Sequence, residues 1–169
     1  IHADSTNNDT DNTFVDSSAD KIPFAGTYST YFNGTTDKIT APTSANLSMS
    51  TGDFTVECWV YWFGNTTPYQ NFVGSNSAAF TGNATFFRVW GSATSQAQLR
   101  NKIGIGNPTH DALSAVYSTN SLTVNTWNHV AVTRSGGIIR VFLNGNLEAT
   151  GTTDNSVYDF GDNGLCMGA

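Results

Sequence analysis

Residues 127–145 read WNHVAVTR-SGG-IIRVFL-NG. Two runs rich in β-branched residues flank the Gly136-Gly137 pair, and the second run stops at Asn144-Gly145. Because Asn-Gly readily adopts the positive φ angles of a type I′ turn, it is a strong hairpin signal. The stretch therefore predicts three consecutive antiparallel strands, the third beginning at Asn146.

The remaining sequence also favours short strands joined by polar turns. Helix-forming residues are scarce, since the 169 residues include two glutamates and three lysines, whereas Thr, Asn, Ser, Gly, Phe and Val are abundant. The longest predicted strand runs from Asp53 to Phe63. Its alternate residues divide into two faces, one with Phe54 and one with Trp59, and both are largely apolar. We therefore expect this strand to lie centrally, covered on both sides.

Charge and hydropathy exclude two classes of partner. The net charge is −6, and lysine and arginine together number seven, which argues against nucleic-acid binding. The sequence holds no run of about 18 apolar residues, so we expect no insertion into a membrane. Cys58 and Cys166 both fall in apolar strand runs, and two buried free thiols are a more economical interpretation than a disulfide.

Several stretches resemble laminin-G-like, concanavalin A-like jelly-roll modules. They are YFNGTTDKIT at 31–40, TGDFTVECWV at 51–60, WNHVAVTR at 127–134, VFLNG at 141–145 and LCMG at 165–168, and even the first four residues resemble the end of the family's first strand. The resemblance implies an all-β fold, an antiparallel two-sheet β-sandwich of the jelly-roll type, as a single domain over residues 1–169.

The resemblance also implies that the domain is cut at both ends. The family continues past the strand at 165–168 into a closing strand, and the polar, acidic segment 4–20 has the composition of a loosely held arm within residues 1–20. Because an unpaired sheet edge is a liability, we expect flanking segments or other subunits to complete that edge.

The chain offers little for catalysis. Glycoside hydrolases need two carboxylates flanking the scissile bond, whereas Glu57 and Glu148 fall in separate predicted strands. His129 lies in a fold-defining motif without a Gly-x-Ser-x-Gly elbow, so we expect it to be structural and to hydrogen-bond a neighbour. The sequence therefore predicts a protein that is not an enzyme.

Aromatic side chains near strand ends are the candidates for stacking on a glycan. Trp59 and Trp127 fall in fold motifs and are assigned to the core. The predicted ligand-binding residues are Trp62, Tyr69, Trp90, Tyr117 and Tyr158, although packing in the core or at its rim explains any one of them equally well.

Calcium is the more plausible metal, because many modules that this chain resembles bind it at a loop rim. Calcium prefers carboxylate, amide and carbonyl oxygens. The candidate ligands are Asp4, Asp16, Asp37 and Asp162. An acidic loop that is simply solvated explains the same residues.

The sequence favours a non-catalytic structural or adhesion module of a larger surface assembly, with a surface glycan as its ligand. Modules with similar stretches are frequent in phage and bacterial surface proteins, and the abundance of Asn, Thr and Gly favours a virion protein such as a phage fibre, tail or capsid decoration. The alternative is a carbohydrate-binding module of a bacterial secreted or cell-surface protein. The expected location is extracellular or on the virion surface.

Overall fold

The computed structural model describes residues 29–64, 69–75, 86–90, 102–106, 116–159 and 164–168. Residues 32–169 form one compact unit. The described parts contain twelve strands and a single turn of 3₁₀ helix at Ala45–Leu47. The strands are β1 Ile39–Ala41, β2 Ser48–Ser50, β3 Phe54–Trp62, β4 Tyr69–Ser75, β5 Phe86–Trp90, β6 Lys102–Gly106, β7 Val116–Tyr117, β8 Thr126–Ser135, β9 Ile138–Leu143, β10 Asn146–Thr153, β11 Tyr158–Asp159 and β12 Leu165–Met167. No helix in these ranges is long and apolar enough to cross a membrane.

The strands form two main antiparallel sheets and one short pair. The six-stranded sheet has the order β1-β12-β4-β5-β6-β7, the four-stranded sheet has the order β10-β9-β8-β3, and β11 pairs with β2. Apolar side chains from both main sheets form one core, in which Phe87, Ile105, Val132 and Val141 are almost fully buried. The all-β sandwich predicted from the sequence is therefore confirmed.

The β8–β9–β10 meander matches the prediction from residues 127–145. β8 turns into β9 through Gly136 and Gly137, at φ +58° and +76°. β9 turns into β10 through Asn144 and Gly145, at φ +51° and +79°. Positive φ at both central residues is what a type I′ turn requires, and glycine or asparagine reaches it at low steric cost. The third strand begins at Asn146, as expected.

The position of β3 differs from the prediction. In the described part of the chain β3 is the last strand of the four-stranded sheet, paired on one side with β8 through nine residues in continuous register. The face that carries Phe54 and Trp62 covers the core, while the opposite face carries exposed Glu57, Trp59 and Tyr61. One apolar face of β3 is therefore buried in the core, and the other consists largely of exposed aromatic side chains.

Other expectations for local structure had mixed outcomes. The sequence also predicts a strand over residues 28–32 and connecting loops over residues 42–52 and 151–163. The described residues 29–32 form no strand, and β2 and β11 form within the two expected loops. Cys58 and Cys166 are free thiols, as expected, in β3 and β12. Burial, reinforced by the charge of Glu57, raises the pKa of the Cys58 thiol to about 12.

Candidate functional site

Three residues with polar groups and one glycine form a row across four strands of the six-stranded sheet. Backbone register sets Asn71 of β4 beside Arg88 of β5, Arg88 beside Gly104 of β6, and Gly104 beside Tyr117 of β7. We call these four residues the polar row. Because Phe87 is fully buried in the core and successive strand residues point to opposite faces, Arg88 lies on the face away from the core.

The sequence of β5 explains how an arginine comes to lie on this face. β5 reads FFRVW, so the arginine stands between two residues that the core takes up, Phe87 and Val89. A single charge inside an apolar strand is a signal that sequence analysis could have used, because it must either be paired or face away from the core. Gly104 adds no side chain to the row.

The chemistry of the polar row suits a ligand rich in hydroxyl groups. Arg88 is only 6% exposed, whereas Asn71 and Tyr117 are half-buried. The amide oxygen Oδ1 of Asn71 is buried and accepts no hydrogen bond from any described residue. A buried acceptor left without a partner costs about 1–3 kcal/mol, so a donor that reaches Oδ1 gains that amount. The row therefore combines amide, guanidinium and phenol groups on one face.

Three of the five predicted aromatic residues lie in this sheet. Tyr117 belongs to the polar row itself, and the backbone of Tyr69 pairs with that of Trp90, two residues along β4 and β5 from the Asn71–Arg88 pair. The side chains of Tyr69 and Trp90 lie outside the described set. The structure thus brings three separate segments of the sequence together on one sheet, and their role in binding stays a prediction.

The other two predicted aromatic residues lie in the core. Trp62 is 5% exposed and Tyr158 is 2% exposed, so neither ring offers a face for stacking, contrary to the expectation of accessible rings near strand ends. Tyr158 packs on Phe54 with ring centroids 5.5 Å apart and donates a hydrogen bond to Asp154 Oδ2 at 2.5 Å. Burial, then that hydrogen bond and the charge of Asp154, raise the pKa of Tyr158 against the opposing charge of Arg134.

Arg134 explains why Tyr158 is held inside. Its buried guanidinium donates hydrogen bonds to the backbone carbonyl groups of Ser50, Ser156 and Asp154, and lies 5.4 Å from the centre of the Tyr158 ring. These contacts join β8 to the end of β2 and to the segment between β10 and β11. The Arg134 guanidinium therefore has a structural role, because its hydrogen bonds go to backbone carbonyl groups of the protein itself.

Of the four predicted calcium residues, Asp37 alone lies in the described part of the chain, so the calcium site stays a prediction. Asp37 lies in the turn after Asn33, where Asn33 N–H donates to its Oδ2 at 3.2 Å and its own N–H donates to Asn33 Oδ1 at 3.1 Å. Asp4, Asp16 and Asp162 lie outside the described residues. Among the residues described, no three His, Cys, Asp or Glu side chains form a group that could hold a metal.

The carboxylates of the two glutamates have different partners. Glu57 lies on β3 and Glu148 on β10, at opposite edges of the four-stranded sheet. Three strand spacings put their backbones about 14 Å apart, and the Glu57 carboxylate contacts His129. Glu148 instead accepts hydrogen bonds from Asn120 through both of its carboxylate oxygens, at 2.8 and 3.1 Å.

The outer face of the four-stranded sheet differs from the prediction. Trp59, which the sequence analysis assigned to the core, is 45% exposed, and Trp127 is half-buried beside Tyr61 on this same face. His129 lies on this face too, with its Nε2 3.4 Å from Glu57 Oε2 and its ring 5.0 Å from that of Trp59. The histidine therefore contacts strand neighbours, as predicted.

The chain belongs to the concanavalin A-like lectin/glucanases superfamily, whose model matches residues 33–169. The match covers both main sheets, and it confirms the family inferred from the motifs. No curated protein matches the chain in sequence.

Several solved structures of low sequence identity are similar to this chain. Domain 4 of AbnA, a GH43 extracellular arabinanase from Geobacillus stearothermophilus in complex with arabinotriose, is 18% identical over 77% of this chain and 56% of that one, with a TM-score of 0.51. Domains LG4–5 of the mouse laminin α1 chain are 14% identical over 68% of this chain and 28% of that one, with a TM-score of 0.42. The alginate lyase from Corynebacterium sp. is 21% identical over 71% of this chain and 47% of that one, with a TM-score of 0.36. The chain thus spans about half or less of each structure.

Proposed function

We propose that this chain is a non-catalytic carbohydrate-binding module of a larger extracellular protein, and that the polar row binds the sugar. The observation that carries the proposal is the alignment of Asn71, Arg88 and Tyr117 across one sheet, with a buried amide oxygen that no described residue satisfies. Sugars present adjacent hydroxyl groups that donate and accept at once, and planar amide and guanidinium groups match them in pairs.

Each side chain of the row has a distinct role in this proposal. The amide group of the half-buried Asn71 hydrogen-bonds one sugar hydroxyl, while the almost fully buried Arg88 lies beneath the sugar and supplies positive charge. The ring of Tyr117 packs against the apolar C–H face of the sugar.

The proposal assigns no hydrolysis to the two glutamates, whose carboxylates contact His129 and Asn120. Domain 4 of the arabinanase, which has the same fold, is in complex with arabinotriose. An arabino-oligosaccharide is therefore the first ligand to test. We propose further that the larger protein is a virion fibre or tail protein. Flanking segments or neighbouring subunits then complete the sheet edge of the module. The alternative is a bacterial secreted or cell-surface protein.

Calorimetry with arabinotriose, after a glycan array to widen the choice of sugars, tests the site. We expect Asn71→Ala and Tyr117→Ala each to weaken binding about tenfold or more, equal to a loss of about 1.4 kcal/mol. Tyr117→Phe keeps the ring and should retain most of the affinity. Thr150→Ala, at an exposed position of β10, is the control and should bind like the wild type. Unchanged binding by both alanine variants of the row contradicts the proposal.

A further inference from the structure

Three aromatic side chains form an exposed row along the outer face of the strand β3 and its end. Trp59, Tyr61 and Phe63 are 45%, 38% and 64% exposed, although each is large and apolar. Alternate residues of a strand lie about 6.8 Å apart on the same face, so the row extends for about 14 Å. We call these three residues the outer strip.

The rings of the outer strip are held in place by their neighbours. Tyr61 donates a hydrogen bond from its hydroxyl group to the carbonyl oxygen of Asn125 at 2.9 Å. Its ring lies 5.0 Å from that of Phe63 and meets Trp127 edge to face at 5.6 Å. Trp59 lies against His129. Because the rings are fixed before any ligand arrives, binding costs little side-chain entropy.

A polar group stands at one end of the outer strip. Glu57 precedes Trp59 by one alternation of the strand, and its side chain is 61% exposed beside His129. A carboxylate accepts hydrogen bonds from two hydroxyl groups at once. This negative charge, together with the net charge of −6, disfavours an anionic ligand and favours a neutral one.

The size of the face favours a sugar chain over a protein. Four strands about 4.8 Å apart, over the eight residue steps from Thr55 to Phe63, give a face of about 400 Å². A stable protein complex buries about 800 Å² on each partner. A patch of a few hundred Å² with ordered rings is nevertheless typical of a functional surface.

We propose that the outer strip is a second carbohydrate site, which takes an extended, neutral polysaccharide lying along β3. The apolar faces of successive sugar rings pack on Trp59, Tyr61 and Phe63, while Glu57 accepts hydroxyl groups at one end. The proposal rests on the carbohydrate-binding function proposed above, but it uses the opposite sheet. The two sites would let one domain hold a soluble sugar on one side and a polymer surface on the other.

Pull-down on insoluble polysaccharides tests the second site, with microcrystalline cellulose, chitin, insoluble xylan and debranched arabinan as the probes. We expect the full chain to bind at least one of them, and the double variant Trp59→Ala/Tyr61→Ala to bind it at least tenfold more weakly. Trp59→Phe keeps a ring and should retain binding. Leu147→Ala removes an exposed apolar side chain from β10, at the opposite edge of the same sheet, without removing a ring, and should also bind like the wild type. The melting temperature of each variant verifies that it is folded.

Arabinotriose calorimetry on the same variants separates the two proposals. If the double variant binds arabinotriose normally and loses the polymer, the outer strip is a separate site. If it binds the polymer as the wild type does, or if the wild type binds none of the four polymers, the second site is refuted while the polar row still stands on its own test. Self-association of the wild type that the double variant abolishes would refute it as well, because it would assign the face to a second copy of the chain.

Discussion

The side chain of Asn128 offers a quantitative test of how this fold is held together. It lies on β8, fully buried, and makes three hydrogen bonds to backbone groups before it in the chain: its Oδ1 accepts from Thr123 N, and its Nδ2 donates to the carbonyl groups of Thr123 and Thr126, each at 3.0 Å. Asn128→Ala removes all three. At about 1 kcal/mol for each bond, we expect a loss of about 3 kcal/mol in the free energy of unfolding.

Urea denaturation followed by tryptophan fluorescence measures this loss. In a domain of this size, 1 kcal/mol corresponds to about 2–4 °C, so the melting temperature should fall by about 6–12 °C. A loss below about 1 kcal/mol would refute the reasoning, because it would mean that water replaces all three bonds at no cost.

Asn128→Asp sharpens the test by making it depend on pH. The new oxygen keeps the bond from Thr123 N but faces two carbonyl groups that previously received N–H donors. Because burial disfavours the charged form, the carboxyl group should have a higher pKa in the folded than in the unfolded state. The penalty is therefore small below about pH 4 and grows as the pH rises towards 7. Asn146→Asp, at the exposed start of β10, is the matched control and should show little pH dependence of this kind.

Three further predictions concern other parts of the fold. Arg134→Met should cost about 3 kcal/mol or more in the free energy of unfolding, since three carbonyl groups lose a charged donor. Arg140→Met, on the outer face, is the control and should cost less than about 1 kcal/mol. Equal losses in urea denaturation would contradict the structural role of Arg134. Gly168→Ala should lower the melting temperature sharply, because φ is +77° and a Cβ would overlap the Phe32 ring; an unchanged value would contradict that packing. The Cys58 thiol should react with iodoacetamide at pH 8 much more slowly in the native than in the unfolded protein, because burial and the charge of Glu57 raise its pKa and so lower the fraction of thiolate; equal rates in the two states would contradict the prediction.

Local chemistry made the meander predictable. The turns at Gly136-Gly137 and Asn144-Gly145 depend on φ angles that the residues themselves favour, so the sequence carries the information within a few positions. The position of β3 within its sheet is not encoded by local residues. Its two faces were separated correctly by alternation, but the choice between edge and centre depends on which distant strands pair with it.

The same limit explains the candidate sites. Asn71, Arg88 and Tyr117 become neighbours only through the register of β4, β5, β6 and β7, and no local pattern encodes that register. Trp59 and Trp62 show how alternation along a strand separates residues that are close in sequence. They stand three positions apart on one strand and therefore lie on opposite faces, one in solvent and one in the core.

The continuous register between β3 and β8 has a mechanical consequence. A polymer held on the outer strip transmits any pulling force directly to β3, which is joined to β8 through nine successive residue pairs. A force directed along β3 loads all the hydrogen bonds of that pair in shear at the same moment, whereas a force directed away from β8 opens them one after another. An anchoring module built on this strand would therefore resist drag far better along the strand than across it, and its grip would depend on the direction of flow.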